Sequence, residues 1–177
     1  VAGTSTYDDS FVYNGSPERF NWKLVGKQEM IVPANNNRFV FEMKMEDALG
    51  PKFLKPEAFR WEKRRVWVVD STLKEGQRHL YSRRTYYLDE DSWALMVADI
   101  YDAQGKMWRV QESSVYPAPE LPACVGQEFV SYDLSVGRYI GENATQEQPE
   151  TDWLAGREGR IDPRKFNPDE LRRVGER

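Results

Sequence analysis

Three groups of side chains in this sequence could do chemistry. Cys124 and His79 are each the single residue of their type, and together they would make a thiol nucleophile and its imidazole base. Nothing around Cys124 resembles a nucleophile motif, so it reads as a partly buried structural thiol and His79 as an exposed loop histidine beside a turn. One Cys and one His are also too few for a zinc site, which draws on several such ligands. The second group is acidic: Asp89, Glu90 and Asp91, with Asp99 and Asp102. The spacing and glycine of a calcium loop are missing, and acids at hairpin tips are ordinary turn formers. A Gly-rich phosphate loop, a Gly-x-Ser-x-Gly elbow and a dinucleotide fingerprint are all absent from the sequence. The chain therefore reads as a non-enzyme, with no catalytic residue, metal or cofactor assigned. The third group is Arg84, Asp99 and Arg109, two guanidiniums expected around one carboxylate. That cluster is either a cross-strand ion-pair network or a receptor for an anionic headgroup or a partner's carboxylate.

The elements that must position these groups are strands. Residues 60–116 read as four consecutive antiparallel strands, with turns at 74–77, 89–92 and 102–106. The last turn has Asp102 where a type I turn starts and Gly105 where a left-handed residue must sit. If Asp102 faces Lys106, then Ile100 faces Trp108, Asp99 faces Arg109 and Ala98 faces Val110. A four-residue loop in the preceding hairpin puts Leu88 opposite Trp93, Tyr86 opposite Leu95 and Arg84 opposite Val97. Sorting by the period of two then collects Tyr81, Arg83, Thr85, Tyr87, Ala94, Met96, Ala98, Ile100, Trp108, Val110 and Glu112 on one face. The other face collects Arg84, Tyr86, Leu88, Trp93, Leu95, Val97, Asp99, Tyr101, Arg109 and Gln111. Both faces of the central strand are apolar, so something must cover the second one.

Alternation also predicts strands at 20–32, 38–45 and 128–134, with a breaker at 33–37 and a loop or single helical turn at 46–56. Residues 1–17 read as an N-terminal loop or linker, 18–140 as the antiparallel β-domain, and 141–177 as a polar tail. Within the tail, Asn167 caps a short helix near 168–173.

Composition bounds the reading. A chain of 177 residues can bury a core without staples, and its 25 basic and 29 acidic side chains, a net charge of −4, are interspersed. Nucleic acid is thus an unsuitable partner. The longest apolar run, 93–98, is far short of the roughly 18 residues of a membrane-spanning helix. Aromatic residues make up 13% of the chain against a mean hydropathy of −0.76, a balance that suits half-wet sheets or faces that bind something amphipathic.

The segment from Arg64 to Trp93, with Tyr101 to Arg109 and Asn14 to Lys27, resembles a domain family of unknown function in Gram-negative envelope proteins. In hairpin pattern that family is similar to the outer-membrane lipoprotein-sorting carriers, the lipoprotein localisation factors. The resemblance implies a mainly β fold: a twisted antiparallel meander forming an open half-barrel, with little helix, whose concave side holds acyl chains under a helical lid. It also implies a longer precursor with a signal peptide, Val1 marking a boundary within it, and a place in the periplasm, at or near the outer membrane. The function implied is a lipid or hydrophobic-ligand carrier linked to lipoprotein or lipid trafficking. Its expected apolar face is Tyr87, Ala94, Met96, Ala98, Ile100, Trp108 and Val110. The alternative is a structural or assembly partner of an outer-membrane or transport protein, with no ligand of its own. No lid helix and no functional position of the carriers matches a numbered residue here, so only the scaffold carries over.

Overall fold

Runs of β-branched and aromatic residues build two long paired strands, β1 (Phe20–Pro33) and β2 (Trp61–Leu73). The structure, a computed structural model, describes residues 3–126, 128–149, 151–157 and 159–175. From β2 the chain meanders through β3 (Arg83–Asp89), β4 (Leu95–Tyr101) and β5 (Met107–Ser113). It leaves the sheet for a small hairpin, β6 (Tyr116–Ala118) with β7 (Ala123–Val125), and returns as β8 (Phe129–Asp133) and β9 (Arg138–Glu142). The main sheet has the order β1-β2-β3-β4-β5-β8-β9, every neighbour antiparallel. It does not close, because β1 and β9 stand at opposite edges.

The turns form where local chemistry places them. Asp102 Oδ1 accepts the N–H groups of Gln104 and Lys106, each at 2.9 Å, and Gly105 takes φ +74° with open space around it. Register, however, departs from the expected one at two bulges. Tyr101 pairs with Met107 as the turn requires, but Ile100 pairs with Arg109, so Trp108 is an extra residue and Asp99 faces Val110. In the preceding hairpin Leu88 pairs with Leu95 and Tyr87 with Val97, making Met96 extra, and Arg84 faces Ile100. Each extra residue reverses which side the following residues face.

Both faces are covered by the chain itself. One face, here the strap face, carries Trp22, Ser71, Arg84, Tyr86, Ala98, Ile100, Arg109, Gln111 and Ser131. Residues 3–16 lie over it. That segment is no loose linker: Thr4, Ser5, Asp9 and Val12 are buried, and Val12 packs with Tyr86, Ala98 and Phe129. Its anchor is a buried polar cluster. Asp9 lies 3.3 Å from Arg84 Nη2 and accepts the Tyr81 hydroxyl at 2.7 Å, while Arg109 Nη1 donates to the same hydroxyl at 2.7 Å. Arg109 Nη2 also donates to the Gly3 carbonyl, and its Nε lies 3.5 Å from Asp133. Burying these charges is tolerable only because each is paired.

The opposite face, here the cleft face, carries Val66, Val68, Tyr87, Val97, Asp99, Val110, Glu112, Val130 and Tyr132. Residues 34–60 cross it. The expected strand at 38–45 is instead a π-helical turn, Arg38–Glu42, followed by a single helical turn, α1 (Met45–Ala48). The alternating pattern misleads there because Phe39 and Val40, adjacent in sequence, are both buried, which an extended chain with one wet side cannot achieve. Phe39, Val40, Ala48, Leu54, Ala58 and Phe59 pack on Tyr116, Ala118 and Val130. At roughly 1.5–3 kcal/mol for each large apolar side chain withdrawn from water, this contact holds the cover in place.

Beyond β9, the buried Glu128 carboxylate accepts Thr145 N at 2.7 Å, Thr145 Oγ1 at 2.8 Å and Gln146 Nε2 at 2.7 Å, tying the start of the tail to the sheet. A short exposed helix, α2 (Pro168–Gly175), follows, capped by Asn167 Oδ1, which accepts Asp169 N and Glu170 N.

Candidate ligand-binding cleft

The cover over the cleft face is incomplete. As residues 52–61 descend from α1 to β2 they stand off the sheet, leaving a cleft of about 500 Å³ above β5 and β8. Its apolar walls are Phe53, Leu54, Pro56 and Trp61 on one side and Val110, Tyr132 and Leu134 on the other, and Glu112, Asp133, Lys52 and Arg138 add charge to the lining. Gly50 and Tyr139 fix one end of the cover: the Tyr139 hydroxyl donates to the Gly50 carbonyl at 2.8 Å and accepts Gly50 N–H at 3.2 Å. Leu54 is buried and pins the middle, whereas the lips Phe53, Trp61 and Leu134 remain 54%, 41% and 53% exposed. Large apolar side chains grouped around a concavity and left wet are a signature of a surface that receives something.

Of the ionisable groups in the lining, Glu112 is the most deeply set among apolar neighbours. Glu112 projects from β5 between register partners Val97 and Val130, two residues along the strand from Val110, roughly 7 Å away. Burial raises its carboxyl to about 6, and a hydrogen bond from the Tyr132 hydroxyl opposes that rise. Tyr132 is itself pushed well above the usual phenol range, chiefly by burial and then by the Glu112 charge, and Leu54 N–H donates to its oxygen. Its ring stacks on Tyr139 at 5.8 Å between centroids.

The residues singled out from sequence are distributed differently. Of the seven expected on one apolar face, Tyr87, Ala94, Met96 and Val110 belong to the cleft-face core. Ala98 and Ile100 are fully buried on the strap face, and Trp108, as the bulge residue, packs edge-on against Tyr81 and donates to Asp133 at 3.2 Å. Val110 alone among the seven lines the cleft. The expected trio of Arg84, Asp99 and Arg109 is likewise separated. The two arginines flank Ile100 on the strap face, but the bulge turns Asp99 to the cleft face, where it accepts the Tyr87 hydroxyl at 2.7 Å. Asp9 and Asp133, neither anticipated, take its place.

Cys124 and His79 stand in unrelated settings. Cys124 is exposed in β7. His79 is held under the strap, its Nδ1 accepting Tyr81 N–H at 3.0 Å and its Nε2 lying 3.3 Å from Asp8. Burial, aided by the Arg84 charge, lowers its pKa and keeps the ring neutral. In the acidic cluster, Asp89 accepts from Arg64 and from Ser92 N and Oγ, which hold its carboxyl below its ordinary value despite burial. It is a turn residue tied to the neighbouring strand. Sequence reasoning passed over Glu112, Tyr132, Phe53, Leu54 and Trp61 as a site. The available signal was Glu112, a carboxylate falling in register with Val110 on a mostly apolar face.

One solved structure shares the architecture. A Vibrio parahaemolyticus domain described as an outer membrane lipoprotein-sorting protein domain superposes with a TM-score of 0.53 at 9% identity, covering 95% of this chain and 57% of that one. A DUF1329 family protein from Desulfovibrio piger aligns with a TM-score of 0.48 at 11% identity, covering 95% of this chain and 56% of that one. In sequence, the uncharacterized protein PA3922 of Pseudomonas aeruginosa is 36% identical over 149 residues, which is 82% of this chain but 32% of that protein. The family described as "Protein of unknown function (DUF1329)" matches residues 1–172. The chain belongs to the DUF1329 family.

Proposed function

We propose that this chain is a non-enzymatic binding module of the cell envelope, working in the periplasm, that holds a lipid or another long apolar molecule in the cleft between residues 52–61 and β5–β8. The observation that carries this reading is the cleft itself: about 500 Å³, within the roughly 300–1,000 Å³ of small-molecule sites, and walled mainly by apolar groups whose outer members are wet. The open sheet with a partly helical cover, shared with the Vibrio lipoprotein-sorting domain, supports the same reading at the level of fold. Each methylene taken up would contribute about 0.8 kcal/mol, so affinity should follow chain length more than chain identity. Titration with a fluorescent acyl probe tests it. The native chain should bind saturably, and Phe53→Ser and Trp61→Ser, at lips too exposed to hold the fold together, should weaken binding together. Failure of the native chain to bind, or binding by both variants as tight as that of the native chain, refutes it.

A second reading has an observation of its own. On the strap face, at the edge of the strap, Tyr13, Trp22, Val69, Tyr86, Leu88 and Leu95 border an apolar groove of about 200 Å³, with Leu24 60% exposed beside it. That surface favours an assembly partner. A pull-down from delipidated envelope extract distinguishes the two, because a protein partner would persist and would be lost on Trp22→Ser.

A further inference from the structure

An apolar cavity wall does not ordinarily carry an acid, and Glu112 is the exception to explain. Its register partners are Val97 and Val130, and its strand neighbour on the same face is Val110. Among the described residues, the group that hydrogen-bonds it is the Tyr132 hydroxyl. Lys52 and Arg138 also line the cleft, but among the described residues neither forms an ion pair with Glu112. Lys52 lies beside Gly137, Arg138 is in register with Asp133 and reaches toward Gly3, and the nearby Lys55 Nζ donates to the Asp47 carbonyl. A carboxylate offers about four acceptor positions, and Tyr132 fills one.

We propose that the natural occupant of the cleft is an amphiphile bearing an ammonium group, which seats its N–H donors on the Glu112 carboxylate while its apolar chain lies along Val110, Tyr132, Leu54 and Trp61. This rests on the carrier reading above and adds the headgroup to it. The physical reason is desolvation. A purely apolar chain laid over an ionised carboxylate strips its water and returns nothing, whereas an ammonium replaces that water with charge-assisted hydrogen bonds and neutralises the charge. A fatty acid anion would add repulsion to desolvation. At neutral pH the group is mostly ionised, since burial raises it only to about 6.

The test uses three ligands of one chain length, dodecylamine, methyl dodecanoate and sodium dodecanoate, each below its micellar concentration, titrated calorimetrically into the full chain at pH 7.5 and pH 5. At pH 7.5 dodecylamine should bind about tenfold tighter than the ester, the scale of one charged hydrogen bond, with dodecanoate weakest. In Glu112→Gln the preference for the amine should vanish while ester binding is kept or improved. Tyr132→Phe, which removes the competing donor, should keep the preference. Should Glu112→Gln fail to fold, the native chain at pH 5 supplies the same comparison, because Glu112 is then protonated and the preference should shrink. If none of the three binds, the carrier reading falls. If all bind without preference for the amine, or if the preference survives Glu112→Gln, the headgroup inference is overturned and the carrier reading stands.

Discussion

Replacing Glu112 by glutamine preserves the side chain's shape and an acceptor for the Tyr132 hydroxyl, and removes only the ionisation. In the native chain burial raises this carboxyl from an ordinary 4.5 to about 6, so the folded state holds the proton more tightly than the unfolded chain does. Glu112's own contribution to stability is therefore greatest below pH 4.5, declines as the pH rises to about 6, and stays at its lower level above that. The decline amounts to about 2 kcal/mol, at about 1.36 kcal/mol per pH unit. That is a ceiling, because one side of the carboxylate opens on cleft water. Glu112→Gln should accordingly gain up to about 2 kcal/mol at pH 7.5, or about 4–8 °C in Tm for a chain of this size, and nothing at pH 4. Differential scanning calorimetry of both proteins at the two pH values measures the difference. An equal Tm offset at both values, or a loss at pH 7.5, would show that the native carboxylate is already compensated. The cost that the ammonium is inferred to relieve would then not exist.

Two further substitutions probe the ties between the sheet and its covers. Asp9→Ala leaves Arg84 and the Tyr81 hydroxyl without their buried acceptor and should cost about 3–5 kcal/mol, with hydrogen exchange accelerating over residues 3–16. The paired variant Asp9→Leu with Arg84→Met should recover much of that loss, and a single Asp9→Ala costing under about 1 kcal/mol would contradict the anchor. Glu128→Ala removes the acceptor of three hydrogen bonds from residues 145 and 146, so limited proteolysis with mass spectrometry should show new cleavage at 143–149 while the sheet stays intact.

The sequence made the hairpins legible because their information is local: Asp102 and Gly105 specify one turn whatever surrounds them. The sorting of faces was not legible, since a bulge such as Met96 or Trp108 has no distinctive residue type, and one extra residue reverses the facing of all that follow. The stretch 38–42 alternates like a strand, and only its packing on Tyr116 and Val130, far along the chain, makes a helical turn the better way to bury Phe39 and Val40 together. The strap was missed for a similar reason. Asp9 looks like a loop acid until two arginines from separate strands close over it. As for the cleft, Val110 and Glu112 could be assigned a common face from alternation, but the opposing wall, Phe53 to Trp61, comes from a loop whose standoff no periodicity encodes.

The strap also sets an order of events. Residues 3–16 emerge from a ribosome, or from any pore threaded from the N-terminus, before the sheet they lie on, and their docking sites come late. Tyr81 follows Asp9 by 72 residues, Arg109 follows Gly3 by 106, and Glu142, which accepts the Ser5 hydroxyl, follows Ser5 by 137. At translation speeds of about 5–20 residues per second, this segment waits on the order of ten seconds for its seat. Throughout that interval the growing sheet exposes Tyr86, Ala98 and Ile100 with two uncompensated arginines, so folding of this chain should be slow and dependent on a holding chaperone until β9 is complete.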